Sequence, residues 1–337
     1  MTENIRRKER VQRGIKVRSD TIYAIASWQE LTYLLAPRLL LILGLLALPF
    51  LVPNMYWQRI ISIFGVYAML AIGFDFLANY VGLVCLGSAM FVGAGGYISG
   101  FFNMTFGWSP LICIPIGTVL GAILCTLALR PCLHLRGIYF VLVSFIYPLV
   151  AIRIIVATGI IGGTEGISAL DVIPNFWLNQ YLMLGVLLCC LFAMRRLVNS
   201  DAGLVFRGLM ENDQAIKASG IDITRCRTVA VFITALIGCF AGAYLTHLYG
   251  WVGTSLFAID FSILPVAASV VGGGGTLIGA VLGCLILIPV SEALRAFGTL
   301  RVVFYSIIIV LFIVFWSEGL FQFVRRKYEE FERWVKV

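Results

Sequence analysis

The sequence is poor in charge. Only 12% of its 337 residues are Asp, Glu, Lys or Arg, where a soluble domain carries about a quarter. That shortage excludes an ordinary soluble globular chain. Histidine is scarcer still: His134 and His247 are the only two. They lie far apart in sequence and give a metal site little support. The nine cysteines are scattered and no CxxC pair occurs. They read as small apolar packing residues. No glycine-rich stretch ends in GK[ST], which argues against nucleotide binding by this chain. The apolar runs lack the ten-residue alternation of an outer-membrane barrel. A paired Asp, a Ser/His pair or an HExxH helix, the needs of an intramembrane protease, is not legible either. No cofactor is expected.

What is abundant is apolar length. Hydrophobic residues make up 61% of the chain, and the mean hydropathy is +0.98. The runs reach the roughly 20 residues needed to cross a bilayer. A backbone in lipid must satisfy its own hydrogen bonds, so unbroken runs of this kind are helices. The fold class is therefore an all-α polytopic membrane protein with one membrane domain. The net charge of +8 comes from 25 Lys and Arg against 17 Asp and Glu. The basic residues collect at the N-terminus, in a central loop and at the C-terminus. That distribution fits contact with anionic membrane lipid and a cytoplasmic placement rather than nucleic acid.

Taken in order, residues 1–37 form a basic segment with Arg6, Arg7, Lys8, Arg10, Arg13, Lys16 and Arg18. Its polar stretch is too long for a signal peptide. A membrane domain follows over 38–322, and a basic tail over 323–337. Spans are expected at about 39–52, 60–79, 83–102, 111–129, 138–157, 178–194, 229–249 and 302–320. Both termini are placed in the cytoplasm, so the number of crossings must be even. Residues 256–289 then cross twice or not at all. The glycines Gly272, Gly273, Gly274 and Gly275 offer a natural break for a tight hairpin. The expectation is ten crossings, with eight as the alternative.

The stretch 195–227 stands out as a polar, basic island between apolar spans. Ser200 or Asp201 suits a helix start, and Gly220 suits a left-handed helix end. Arg207 with Glu211, and Asp213 with Lys217, have the i,i+4 spacing of surface charge pairs. A single continuous helix is excluded by phase: it would put Asp213 and Lys217 on the same face as Phe206, Leu209 and Met210. The pattern predicts two short helices broken near Glu211, the second ending at Gly220.

Charged residues inside spans are costly and often functional. Asp75 and Arg153 are the main ones. Asp75 is read as a pathway residue or packing anchor, with reach to the headgroups as the alternative. Glu165 and Asp171 fall in an outer loop. Gly87, Ser88 and the Gly272–Gly275 run are candidates for the pathway or a gate, since irregular backbone in a membrane is tolerated where it lines a cavity. Small residues four apart recur at Gly96/Gly100, Gly117/Gly121, Gly238/Gly242, Gly275/Gly279 and Gly279/Gly283, and they allow close helix approach.

The central loop resembles the cytoplasmic coupling loop of ABC-importer permeases, in particular those of the branched-chain amino acid type. Gly203, Arg207, Glu211, Ala215, Ala218, Gly220 and Ile221 match that pattern, and Asp213 and Lys217 keep its charge. Leu204, Met210 and Gln214 depart from it. Other stretches resemble the family in the same order: NYVGLVCLGSAMFVGAGGY at 79–97, LHLRGIYFVLVSF at 133–145, GGTEGI at 162–167, VVGGGGTLIGAVLG at 270–283 and FWSEGL at 315–320. The resemblance implies a type II importer-like permease that performs no chemistry itself. It implies partners: a homologous second permease, two cytoplasmic ATPase subunits and a periplasmic solute-binding protein, all at a bacterial inner membrane. The implied cargo is a small amino acid or related polar solute, branched-chain amino acids first. An ion-coupled secondary transporter is the alternative reading of the residues.

Overall fold

The computed structural model describes residues 54–135, 137–159, 162–173 and 175–294, with a few isolated residues beyond them. The expected spans at 39–52 and 302–320, and the basic segments 1–37 and 323–337, lie outside the described residues or almost wholly so. Among the described residues every regular element is a helix. They run α1 Met55–Phe76, α2 Ser88–Phe106, α3 Pro110–Leu129, α4 Ile138–Thr158, α5 Phe176–Val198, α6 Asp201–Glu211, α7 Asp213–Ala218, α8 Ile223–Tyr249, α9 Asp260–Gly272 and α10 Leu277–Ala293. One isolated backbone bridge pairs Ile167 with Val252.

Among the described residues, six stretches are long and apolar enough to cross a membrane: Tyr56–Val81, Pro110–His134, Ile138–Thr158, Trp177–Val198, Ile223–Tyr249 and Thr254–Gly272. Helix α10 is a shorter apolar helix, and α2 has 19 residues. The chain is thus a multi-pass membrane protein. Its helix ends carry local signals. The Asn54 side chain accepts from the Tyr56 N–H at the start of α1. Pro110 opens α3, where a missing N–H costs nothing. Glycines in the left-handed conformation close α2, α4 and α8 at Gly107, Gly159 and Gly250.

The core centres on α1, α2 and α8. Phe64, Ile72 and Phe76 of α1, Phe91 of α2 and Tyr244 of α8 are buried. Helix α2 packs against α3 and α8, while α1 packs against α8, α9 and α10. The small-residue spacings serve these internal contacts. A side chain on Gly95 would collide with the Cys239 carbonyl, and one on Gly242 with the Val92 carbonyl. Gly272 and Gly283 similarly bring α9 and α10 together. Helix α4 is the opposite case. It leaves Ile138, Leu142, Ile146, Val150 and Ile154 exposed, which suits a helix bathed in hydrocarbon.

Two expected boundaries move. The third span was expected from Leu83, yet the helix starts at Ser88. Before it, α1 widens into a π-helical end, Leu77–Val81, closed by Gly82 at φ +77°. Residues 82–87 are then non-helical. Their polar groups are taken up locally: the Leu83 N–H donates to the Leu77 carbonyl and the Leu86 N–H to the Ser144 hydroxyl. Likewise, residues 250–258 are extended or 3-10 before α9 begins at Asp260. That stretch lies along α2, with Val252 against Gly100, Leu256 against Gly96 and Phe257 against Gly93. Helix α9, at 13 residues, is about 20 Å long, and with the preceding 3-10 turn it makes a 19-residue apolar stretch, Thr254–Gly272. The paired hairpin expected over 256–289 is present as α9 and α10, turning at 273–276.

Candidate functional site

The polar island folds as its charge phase requires. Helix α6 ends at Glu211 and α7 starts at Asp213. Between them Asn212 is extended, at φ −156° and ψ 101°. Its side-chain oxygen accepts from the Gln214 and Ala215 N–H groups, at 2.9 and 3.3 Å. That is a helix N-cap, and it fixes the break. Helix α7 finishes before Gly220, which is left-handed at φ +79°. Ser200 occupies the N-cap position of α6, but its hydroxyl donates back to the Leu197 carbonyl at 2.6 Å.

The pair lies on one end of the bundle with its polar face outward. Gly203, Phe206 and Leu209 are buried; Arg207, Glu211, Ala215, Lys217 and Gly220 are exposed. Gly203 is required sterically, because any side chain there would strike the Val198 carbonyl at the end of α5. Phe206 meets Phe76 edge to face at 5.5 Å. Met210 lies over Gly82, where a Cβ would sit 3.2 Å from the Met210 Cα. The seat of α6 is therefore the π-helical end of α1.

The expected charge pairs are redirected by this seating. The Arg207 guanidinium stacks over the Tyr80 ring, 5.5 Å from its centroid. Asp213 turns inward to Arg227, with 2.7 Å between carboxylate oxygen and guanidinium nitrogen. Both side chains are largely buried, and Arg227 also donates to the Leu133 carbonyl at 3.2 Å. This ion pair ties α7 to α8 and to the 3-10 turn Arg130–His134. Beside the break an open cleft of about 390 Å³ is lined by Gly82, Met210, Glu211, Asn212, Asp213 and Arg227, among others.

Asp75 is fully buried, so a headgroup contact is excluded. One carboxylate oxygen accepts three hydrogen bonds, from Asn79 at 2.8 Å, Ser269 at 2.8 Å and the Gly275 N–H at 2.9 Å. The Tyr80 hydroxyl donates to the Gly275 carbonyl at 2.6 Å. Gly272, Gly273, Gly274 and Gly275 thus form the α9–α10 turn that rests on the end of α1. Gly319 also reaches this turn, against Gly272 and Gly273. Gly87 and Ser88 sit elsewhere, at the start of α2. Both are buried; a Cβ on Gly87 would lie 2.9 Å from the Ser144 carbonyl, and the neighbouring Ala89 N–H donates to Ser262. Arg153 is exposed toward the far end of α4.

At the other end of the bundle, the structure corrects one expectation. A Ser/His pair does exist. Ser99 Oγ lies 2.9 Å from His247 Nε2, and His247 Nδ1 lies 2.8 Å from the Asp171 carbonyl. Ser99 and His247 come from helices distant in sequence, which hid them. Both are completely buried, and a Cβ on Gly117 would sit 2.7 Å from the Ser99 Cβ. No substrate could reach the hydroxyl, so the pair is a structural tie for the loop 162–173. Asn103 holds the same loop by donating to the Asp171 carboxylate and accepting from the Asp171 N–H, both at 3.0 Å. Sequence reasoning also missed Tyr80, Asn212, Ser269 and Arg227. Only Asn212 carried a local signal, as a capping residue type at the break.

A polytopic helical bundle that seats a broken amphipathic helix on its own end is the architecture of a multi-pass membrane protein. The family model described as the branched-chain amino acid transport system / permease component matches residues 56–316. The chain belongs to that family. It is 25% identical over 291 residues to the high-affinity branched-chain amino acid transport system permease protein LivM of Salmonella typhimurium, covering 77% of this chain and 68% of the relative. The LivM protein of Escherichia coli matches to the same extent. The probable LivM of Methanocaldococcus jannaschii is 24% identical over 272 residues, 68% of this chain and 79% of the relative. No solved structure matches. These relatives are transport permease proteins rather than enzymes.

Proposed function

We propose that the chain is a membrane subunit of an ATP-driven importer carrying a small amino acid, branched-chain amino acids first, across the bacterial inner membrane. The observation that carries this reading is the exposed helix pair broken at Asn212. Its buried face and the Tyr80-stacked Arg207 grip the bundle, and its exposed face, with Glu211, Ala215, Lys217 and Gly220, is turned outward to a partner. The partner is one of two cytoplasmic ATPase subunits. A homologous second permease completes the membrane assembly, and a periplasmic binding protein delivers the solute. Ten crossings, with the basic segments 1–37 and 323–337 both cytoplasmic and against anionic lipid, place the pair on the ATPase side. ATP-driven approach of the ATPases displaces the loop and biases the bundle between two access states.

The test is co-purification and uptake. The four partner subunits are expressed with the chain, and labelled leucine uptake is measured in cells. Glu211→Lys reverses the charge at the exposed break. It is expected to abolish uptake and release the ATPase subunits while membrane insertion stays normal. Uptake that persists without any ATPase subunit would sink this reading and favour ion-coupled transport instead.

A further inference from the structure

The residues that seat the loop helix also hold the glycine turn between α9 and α10. Gly275 is gripped on both of its peptide groups by a single stretch of α1. Its N–H donates to Asp75 and its C=O accepts from Tyr80. Asn79, between them in sequence, donates to Asp75 and lies against Gly274, where a Cβ would meet its amide at 3.0 Å. Ser269, one turn back in α9, donates to the same Asp75 oxygen. On its other side this stretch bears α6: Arg207 over Tyr80, Phe206 on Phe76 and Met210 on Gly82. Tyr80 is the shared member. Its hydroxyl touches the turn and its ring carries the loop cation.

We propose that the π-helical end of α1 is a mechanical relay from the loop helix to the α9–α10 hairpin, with Asp75 and Tyr80 as its positioning residues. The physical case has three parts. A π-helical turn is a local departure from the α-helical ladder, of the kind often found at functional sites. The glycine turn has backbone freedom that a side chain would remove, with Gly273 at φ +107° and Gly275 at φ +78°. The contacts to it are directional hydrogen bonds rather than a broad apolar interface, so a small rotation of Tyr80 is transmitted as a pull on one peptide unit. Displacing α6 moves Arg207 and Phe206, and with them Tyr80 and Phe76. The hairpin then shifts with the turn it hangs from. Nucleotide state at the ATPases is thereby felt at α9 and α10.

The inference rests on the reading that ATPase subunits drive the loop, and the experiment separates the two. Hydrogen exchange by mass spectrometry is followed in the purified importer, without nucleotide and with ATP trapped by vanadate. Peptides covering 201–218 and 270–280 are compared in the wild type, Tyr80→Phe and Asp75→Asn. In the wild type both peptides respond to nucleotide. In Tyr80→Phe the ring and its cation remain and only the bond to the Gly275 carbonyl is lost. Exchange over 270–280 without nucleotide should then rise about fivefold, the ratio one ordinary hydrogen bond is worth. Its nucleotide response should vanish while 201–218 still responds and the ATPases stay bound. Asp75→Asn keeps an acceptor for Gly275 and retains part of the response. An unaltered 270–280 response in Tyr80→Phe overturns the relay, and so does a wild-type importer in which 201–218 responds and 270–280 does not. If no ATPase co-purifies with the wild type, the underlying functional reading fails instead.

Discussion

Arg227 and Asp213 form a buried ion pair, 2.7 Å apart, that joins the second loop helix to the first turns of α8. Fourteen residues separate them, so no local pattern demands the contact. Removing one partner of a buried pair leaves a charge without its counterion, at a cost of about 3–5 kcal/mol. Arg227→Ala and Asp213→Ala should each lower the unfolding temperature of the purified protein and free α7. The double variant Arg227→Met with Asp213→Leu should recover much of the loss. Thermal unfolding in detergent decides this; a double variant worse than both singles would contradict it.

The Asn212 side chain accepts two N–H groups at the start of α7. A helix of six residues depends on its cap. Asn212→Ala should cost about 1 kcal/mol, while Asn212→Asp should be nearly neutral. Local exchange over 213–218 is the measurement, since global stability will hardly register so small a helix.

Two glycines should respond in opposite ways to the same substitution. Gly203 faces the Val198 carbonyl, and Gly185 in α5 has nothing within 4 Å of an added Cβ. Gly203→Ala should push α6 off α5 and reduce the yield of folded protein. Gly185→Ala should be neutral or stabilising, by up to about 1 kcal/mol, because alanine loses less freedom in a helix. Expression level and unfolding temperature of the two variants, side by side, test the assignment.

His247 ties Ser99 to the Asp171 carbonyl. Truncating it leaves buried polar groups without a partner, a loss of about 1–3 kcal/mol. His247→Ala should therefore loosen residues 162–173, seen as faster proteolysis there with the loop helices unaffected. Ser99→Ala should do the same more weakly. Equal proteolysis of His247→Ala and wild type would show that Asn103 and the Ile167–Val252 bridge hold the loop without it.

Much of the bundle was legible from the chain. Helix class follows from apolar length, and α4 and α5 ran within a few residues of their expected limits. The break between α6 and α7 was readable too. Asp213 and Lys217 cannot share a face with Phe206 and Leu209, and Asn212 supplies the cap where the phase must change. What was not legible was the start of α2, because Gly82–Gly87 is as apolar as the helices around it. Hydropathy does not separate a helix from an extended stretch whose polar groups are taken by Ser144 and Leu77. The i,i+4 pairings failed for a related reason: Tyr80 and Arg227 offered Arg207 and Asp213 better-placed partners from other helices.

By itself the sequence determined a multi-pass helical membrane protein with one patterned polar loop, because burial in lipid and amphipathic phase are properties of contiguous residues. The tertiary structure decided which distant residues answer one another: Asp75 and Tyr80 on Gly275, Arg227 on Asp213, His247 on Ser99. The physical reason is that each of these is a directional contact between helices far apart in the chain. Helical periodicity says which face a residue is on, and only packing says what that face meets.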